Sequence, residues 1–318
     1  MPRKRRYHFR ERRLLNLADS ESEDGFKKLF RMPREIFKKL LEDYGQHLPP
    51  GLSTNGKSIL PSERLLSYLY FLGTNLQYYH CGTNHGLSEG ATAESISAVN
   101  EVLYNYLVPD YVKMPTQAEA REEARLFGDL ADFPPIIWGS IDGTHCEVRG
   151  PGGNVNEKYR CRHHYLSLNT LVVVGASGRF YFVDSQSPGE YCFHLITHLL
   201  LLLCSNGCLV LGSFHDAKIF SESELYEKLN DGTFVPFLDE NGDLGILIGD
   251  SAFESNKKFL AIPFPVAEAL KDQLKKKYNV KFKRARNTVE RFIGVVKQRF
   301  RILDGCIRLL DIEDSGPN

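Results

Sequence analysis

The chain has 318 residues, 42% apolar and 25% charged, with 40 Lys and Arg against 40 Asp and Glu and with 7 Cys. That apolar fraction supports a buried core and excludes global disorder, while the length allows one large domain or two ordinary ones. No apolar run reaches the ~18 residues of a membrane span, and the start Met1-Pro2-Arg3-Lys4-Arg5-Arg6 has no apolar segment behind it, unlike a secretory signal. An odd number of scattered Cys does not read as an extracellular disulfide framework, so a reducing compartment is expected.

The zero net charge conceals two basic segments. Residues 1–13 carry net +6 and residues 271–302 net +10, so the other residues sum to −16. Concentrated cations on an otherwise acidic protein point to a polyanionic partner held at defined places; solvated charge is the plain alternative.

Residues 1–25 pair the basic tract with Asp19-Ser20-Glu21-Ser22-Glu23-Asp24 and read as a disordered lead. Lys4-Arg5-Arg6 suits a nuclear address, with the cytoplasm as a second location. From residue 26 to about 130 the pattern is helical. Ile36, Phe37, Leu40, Leu41 and Tyr44 form one apolar stripe that Pro49-Pro50-Gly51 stops. A helix is expected at about 62–74 and another at about 93–107, with turn and cap chemistry at Ser88-Glu89-Gly90-Ala91-Thr92. Helix, turn, helix is how a helix is laid in the major groove, and also what any small helical domain looks like.

From residue 134 to 303 the grammar is that of an α/β domain. Residues 136–141 read as a buried strand ending at Asp142, 166–174 as a second strand, 179–183 as its antiparallel return after Gly175-Ala176-Ser177-Gly178, and 244–249 as another buried strand ending at Asp250. Helices are expected near 266–277 and 286–303. This order predicts a mixed sheet with flanking helices.

Asp142 and Asp250 thus stand at the ends of buried strands, where α/β proteins place their sites. On the last helix Arg286, Glu290, Gly294, Lys297 and Arg301 share a face beside the apolar Val289, Ile293, Val296 and Phe300. Three converging carboxylates beside cations suit hard ions such as Mg²⁺ or Mn²⁺. Two such ions activate an attacking oxygen and stabilise the leaving oxygen of a phosphodiester. Each acid also has an ordinary explanation: Asp142 a turn, Asp250 a helix cap, Glu290 a helical ion pair.

In these elements the chain resembles the PIF/Harbinger transposases and the nucleases domesticated from them. The matching residues follow the family's order: Ile141-Asp142-Gly143-Thr144-His145, Leu166-Ser167-Leu168-Asn169, Pro188-Gly189, Ser213-Phe214-His215-Asp216, Gly249-Asp250-Ser251-Ala252-Phe253 and Val289-Glu290-Arg291-Phe292-Ile293-Gly294. The resemblance implies an RNase H-like fold behind a helix-turn-helix-like segment. It also implies a DDE-type DNA endonuclease in which Asp142, Asp250 and Glu290 hold two divalent ions, with Asp216 and His215 near the site. A Myb-like DNA-binding partner follows from the same resemblance. Arg284, Arg286, Arg291, Lys297, Arg299 and Arg301 are the expected phosphate contacts; their alternative is an internal clamp on the acidic stretch 222–243, net −6. The competing function is a domesticated DNA-binding or scaffold protein without cleavage.

Two departures from the family pattern stand out. Residues 304–318 replace its closing helical portion and read as a truncated tail. Residues 190–212 separate two elements that are nearly contiguous in the family. Within them, the spacing of His194, His198, Cys204 and Cys208 is permissive for zinc, but the cysteines flank the apolar run 199–203. We hypothesise that this segment is retained intron sequence or a gene-model error, since a pyrimidine-rich splice tract translates into Leu-rich peptide. Sequencing cDNA across the junction is expected to show a message without these codons; a spliced message encoding all of them refutes the idea.

Overall fold

A computed structural model describes residues 13–49, 58–149, 156–161, 164–184, 210–211, 216–253 and 258–307. The basic cluster Lys4-Arg5-Arg6, the zinc set His194, His198, Cys204 and Cys208, and His215 lie outside the described residues. The chain divides into two compact units, one of Met1–Leu107 with Lys297–Arg308, the other built on Val108–Val296.

The first unit is helical: α1 (Arg13–Ser20), α2 (Glu23–Phe30), α3 (Arg34–Tyr44), α4 (Pro61–Thr74), α5 (Tyr78–His85) and α6 (Glu89–Val102). Residues 13–25 are therefore not the disordered lead expected of them: Leu14 and Ala18 are buried, and Ser22 caps α2 through the Gly25 N–H. Its centre is α4. Pro61 opens this helix, where its missing N–H costs nothing, and the Glu63 carboxylate reaches back to accept from the Leu60 N–H at 2.9 Å. Leu65, Leu66, Tyr68, Leu69, Phe71 and Leu72 are all buried. The buried Arg64 guanidinium pairs with Glu94 at 2.9 Å, and the Tyr68 hydroxyl donates to Asn100 at 3.1 Å, which ties α4 to α6.

The expected helix at 62–74 is α4. The second begins earlier than expected, because Ser88 caps it through the Ala91 N–H, and it ends at Val102 in a π-helical turn, Leu103–Leu107. An unexpected helix, α5, precedes it and stops at Gly86 in a left-handed conformation (φ 72°). Helix α6 carries Glu89, Glu94 and Glu101 and no Lys or Arg, which is the wrong charge for lying against phosphate.

The second unit carries α7 (Val108–Tyr111), α8 (Gln117–Ala131), β1 (Ile137–Glu147), α9 (Asn156–Tyr159), β2 (Ser167–Val174), β3 (Phe180–Asp184), β4 (Val210–Leu211), α10 (Asp216–Ser221), α11 (Glu224–Asn230), β5 (Ile246–Ile248), β6 (Leu260–Ala261), α12 (Val266–Ala269) and α13 (Gln273–Arg299). The strand order is β3-β2-β1-β5-β6, with β4 on β2. The β3, β2 and β1 strands run antiparallel, while β5 and β6 lie parallel to β1, so the sheet is mixed as its sequence order predicts. Side chains alternate between its faces. Trp138 and Leu247 join Ile219, Phe220 and Leu225 in one core, and their neighbours Ile137 and Ile248 join Phe127, Phe282 and Ala285 in another.

Two local expectations need correction. Strand β1 does not end at Asp142 but continues to Glu147, because β2 supplies partners along the whole stretch, from Ser140↔Val174 to Glu147↔Ser167. The two helices expected near 266–277 and 286–303 are instead the single turn α12 and one 27-residue helix, α13. No Gly or Pro interrupts the chain between residues 273 and 293, and the Asp272 carboxylate accepts from the Leu274 N–H at 2.8 Å where the helix starts.

Helix α8 is fastened to the β2–β3 turn by a group that the sequence reading did not single out. The buried Glu123 accepts from the Ser177 N–H (3.0 Å), the Ser177 hydroxyl and the Tyr181 hydroxyl (2.8 Å). At the helix start Thr116 and Glu119 form a capping box, and Glu119 also pairs with Arg179 at 2.6 Å. Replacing Glu123 by Ala strands the buried Tyr181 hydroxyl and releases the exposed Ser177 turn, so we expect a loss of about 2 kcal/mol, read as a lower urea midpoint with an unchanged slope; a loss within error would remove Glu123 from this role.

Candidate active site

Parallel pairing sets the geometry of the acids. Gly139 lies opposite Leu247 and Ser140 opposite Ile248. Continuing that register by two residues brings Asp250, just past the end of β5, level with Asp142 in mid-strand. Asp142 accepts from its neighbour's Gly143 N–H at 3.0 Å, and Asp250 accepts from the Ala252 N–H at 2.8 Å, so both carboxylates are held by the backbone.

Asp216 joins them from the first residue of α10. A side chain added at Gly143 would place its Cβ 2.2 Å from an Asp216 carboxylate oxygen, so only glycine lets the acid approach β1 this closely. On the other side the Asn169 amide of β2 donates to Asp216 at 2.7 Å. Asn169 is a site residue that was not picked out individually; the signal was a buried-strand pattern interrupted by one amide, Leu168-Asn169-Thr170-Leu171.

The third expected acid arrives through a cation. Glu290 and Arg286 are one turn apart on α13 and in direct contact, while the Arg286 guanidinium reaches Asp142 at 3.4 Å. Arg286 thus bridges the strand acid and the helix acid. Asp142 and Arg286 are largely covered, at 15% and 22% exposure, whereas Glu290 is 47% exposed. Helix α13 is held against the sheet by the buried Phe282, Ala285 and Val289, and the Phe292 ring fills the space above Gly178 (φ +87°), where any side chain would collide with it.

Burial pushes the Asp142 carboxyl up to about 6, Arg286 and the Gly143 N–H pull it down, and the charges of Asp216 and Asp250 push it further up. The donors are all oxygen and crowded with like charge, which is the chemistry that a hard divalent cation relieves. As folded, however, no three His, Cys, Asp or Glu side chains among the described residues sit close enough together to hold a metal ion.

The expected phosphate contacts separate into groups. Arg284 is exposed. Arg286 faces inward to the acids and is not a free surface cation. Arg291 lies with its guanidinium 5.0 Å from the neighbouring Phe292 ring centroid. Lys297, Arg299 and Arg301 belong to the first unit. Arg301 does not continue the helical face that the sequence predicted, because the chain leaves the helix at Phe300 (φ −114°, ψ 97°) and Arg301 opens a 3₁₀ turn.

Linkage gives the crowded site a measurable signature. Because Asp142 titrates above its ordinary value of 3.8 when folded, the native state holds more protons than the unfolded one between roughly pH 4 and 6, and stability falls as pH rises through that window. Asp142→Asn is therefore expected to stabilise the chain in EDTA at pH 8 by about 2 kcal/mol and to have no effect near pH 3.5. Urea titrations at the two pH values decide this; equal effects at both would contradict it.

Residues 194–315 match a family described as DDE superfamily endonuclease. That stretch includes Asp216, Asp250 and Glu290, starts inside residues 190–212, and runs past the point where the truncated tail was expected to begin; Asp142 precedes it. No curated protein and no solved structure matches the chain. The match supports the DDE nuclease superfamily for residues 194–315, and the mixed sheet with flanking helices is consistent with a DDE nuclease fold.

Proposed function

We propose that this chain is a metal-dependent DNA endonuclease of transposase ancestry, of the Harbinger kind, acting in the nucleus. The observation that carries the reading is the register of β1 and β5, which sets Asp142 level with Asp250, together with the bridge through Arg286 to Glu290. The family match over 194–315 supports the same chemistry.

On this reading Asp142, Asp250 and Glu290 hold two Mg²⁺ or Mn²⁺ ions, which when bound polarise the scissile phosphate and the attacking oxygen. Asp142 and Asp250 are placed by the sheet, the more rigid support. Glu290, exposed on α13, supplies the adjustable ligand once released from Arg286. Asn169 holds Asp216 beside Asp142 and keeps its charge directed at the cluster. Duplex positioning falls to the cations of α13 and not to α6, whose charges are all acidic. A Myb-like partner that supplies sequence recognition belongs to the same proposal and rests on the family resemblance.

A second reading, a DNA-binding or scaffold protein without cleavage, is favoured by two observations: Glu290 is engaged by a guanidinium, and no three acids among the described residues sit close enough together to hold a metal ion.

Nicking of supercoiled plasmid separates the two. With Mg²⁺ or Mn²⁺ the full chain is expected to nick and with EDTA it is not. Asp142→Asn, Asp250→Asn and Glu290→Gln should each slow nicking by about 100-fold or more, given what one mispositioned catalytic group costs, while leaving DNA affinity within a few-fold. Glu290→Gln cutting at the wild-type rate would end the assignment of that residue.

A further inference from the structure

Beside the acids, the second unit has an open cavity of about 900 Å³. Its walls are Pro263, Phe264 and Val266 on one side and Asn279, Lys283 and Arg286 of α13 on the other, and Ser251, next to Asp250, lies at its edge. Through Ser251 and Arg286 the cavity adjoins Asp250 and Asp142. Its volume is within the ~300–1,000 Å³ typical of small-ligand sites.

The apolar wall is built, not incidental. Both ends of the Asn279 amide bind the backbone of Phe264, the nitrogen donating to its carbonyl and the oxygen accepting from its N–H, each at 2.9 Å. The Phe264 ring rests edge-on against Tyr278 at 5.0 Å, with the Lys275 ammonium 4.8 Å from its centroid, and stays 38% exposed. Glu268, the acid in the lining, is paired with Lys275. Lys283 is exposed and has no ion pair among the described residues, and exposed Lys276, Lys277 and Arg284 lie on the same helix. A fixed aromatic ring in one cavity with an exposed ammonium matches a base joined to a phosphate. A second copy of this chain would set these cations against their own copies and be repelled.

We propose that this cavity receives an unpaired nucleobase of the DNA strand flanking the scissile phosphate, the base stacking on Phe264 and the adjoining phosphate meeting Lys283. The nuclease reading supplies the location of that phosphate; the stacking site itself stands on the cavity. The test measures binding of the full chain, in EDTA, to a fluorescent duplex with a three-nucleotide single-stranded overhang and to the blunt duplex of the same sequence. Wild type should prefer the overhang roughly tenfold, with a 2-aminopurine in the overhang changing its fluorescence on binding. Phe264→Ala should erase the preference and leave blunt affinity unchanged. Val266→Glu, at a position 74% exposed and so without consequence for folding, should do the same by repelling phosphate. Lys283→Ala should lower overhang affinity and its salt slope by about one unit. Equal wild-type affinity for both duplexes, or preference retained in Phe264→Ala and Val266→Glu, overturns the proposal, as does a self-association that Val266→Glu dissolves. Plasmid nicking without overhang preference would sink the cavity assignment alone; preference without nicking would uphold it and sink the nuclease.

Discussion

The largely covered Asp142 carboxylate, with Asp216 and Asp250 close to it, is the constraint from which the geometry of the acids follows. Parallel pairing of β1 with β5, continued two residues past its last pair, brings Asp250 level with Asp142, and the glycine at 143 admits Asp216 as well. Burial, with the charges of Asp216 and Asp250 added to it, raises the protonation of Asp142. Without a countercharge such a cluster would oppose folding. Arg286 provides it from α13, and so the longest helix among the described residues carries an electrostatic duty in addition to its apolar packing through Phe282, Ala285 and Val289.

That arrangement divides the work between rigid and adjustable parts. The sheet fixes its acids through backbone register and through amide contacts at Gly143 and Ala252. Helix α13 brings an acid and a base one turn apart, both on flexible stems, to the same place. Helix α8, held by Glu123 to the β2–β3 turn, keeps the far edge of the sheet in shape without touching the acids. Sites whose precision matters are better supported by strands than by long side chains, and here Asp142 on β1 is 15% exposed whereas Glu290 on the helix is 47% exposed.

Much of this was legible in the sequence, for reasons that differ by element. Buried apolar strands such as 167–174 announce themselves because both faces are covered, and the turn at 175–178 gives the antiparallel return its chemistry. The order of antiparallel and parallel pairing followed from the sequence order of strands and helices. Where β1 ends was not legible, because Asp142-Gly143-Thr144 has turn chemistry and only its pairing with β2 keeps it extended. The continuity of α13 through 278–285 was hidden by the polarity of 275–284, where helix propensity without an apolar stripe looks like a break. Arg286 was read as a phosphate contact because a cation on a basic helix looks outward-facing in one dimension. Only the fold shows Asp142 opposite it. Asn169 and Glu123 escaped for the same reason: a single polar residue in an apolar context acquires its meaning from a partner far along the chain.

On the nuclease reading, the Arg286 guanidinium could not remain on the acids once hard cations took them up, since both would compete for the same carboxylate oxygens. Arg286 also lines the cavity beside Asp250, together with Lys283. A side chain that turned from Asp142 toward that cavity would exchange a carboxylate partner for a phosphate one, the other anion whose geometry a guanidinium fork fits. The same movement would free Glu290 and add positive charge where the strand enters. On that reading one residue would couple the filling of the acid site to the seating of the nucleic acid, through the motion of a side chain that is already partly exposed.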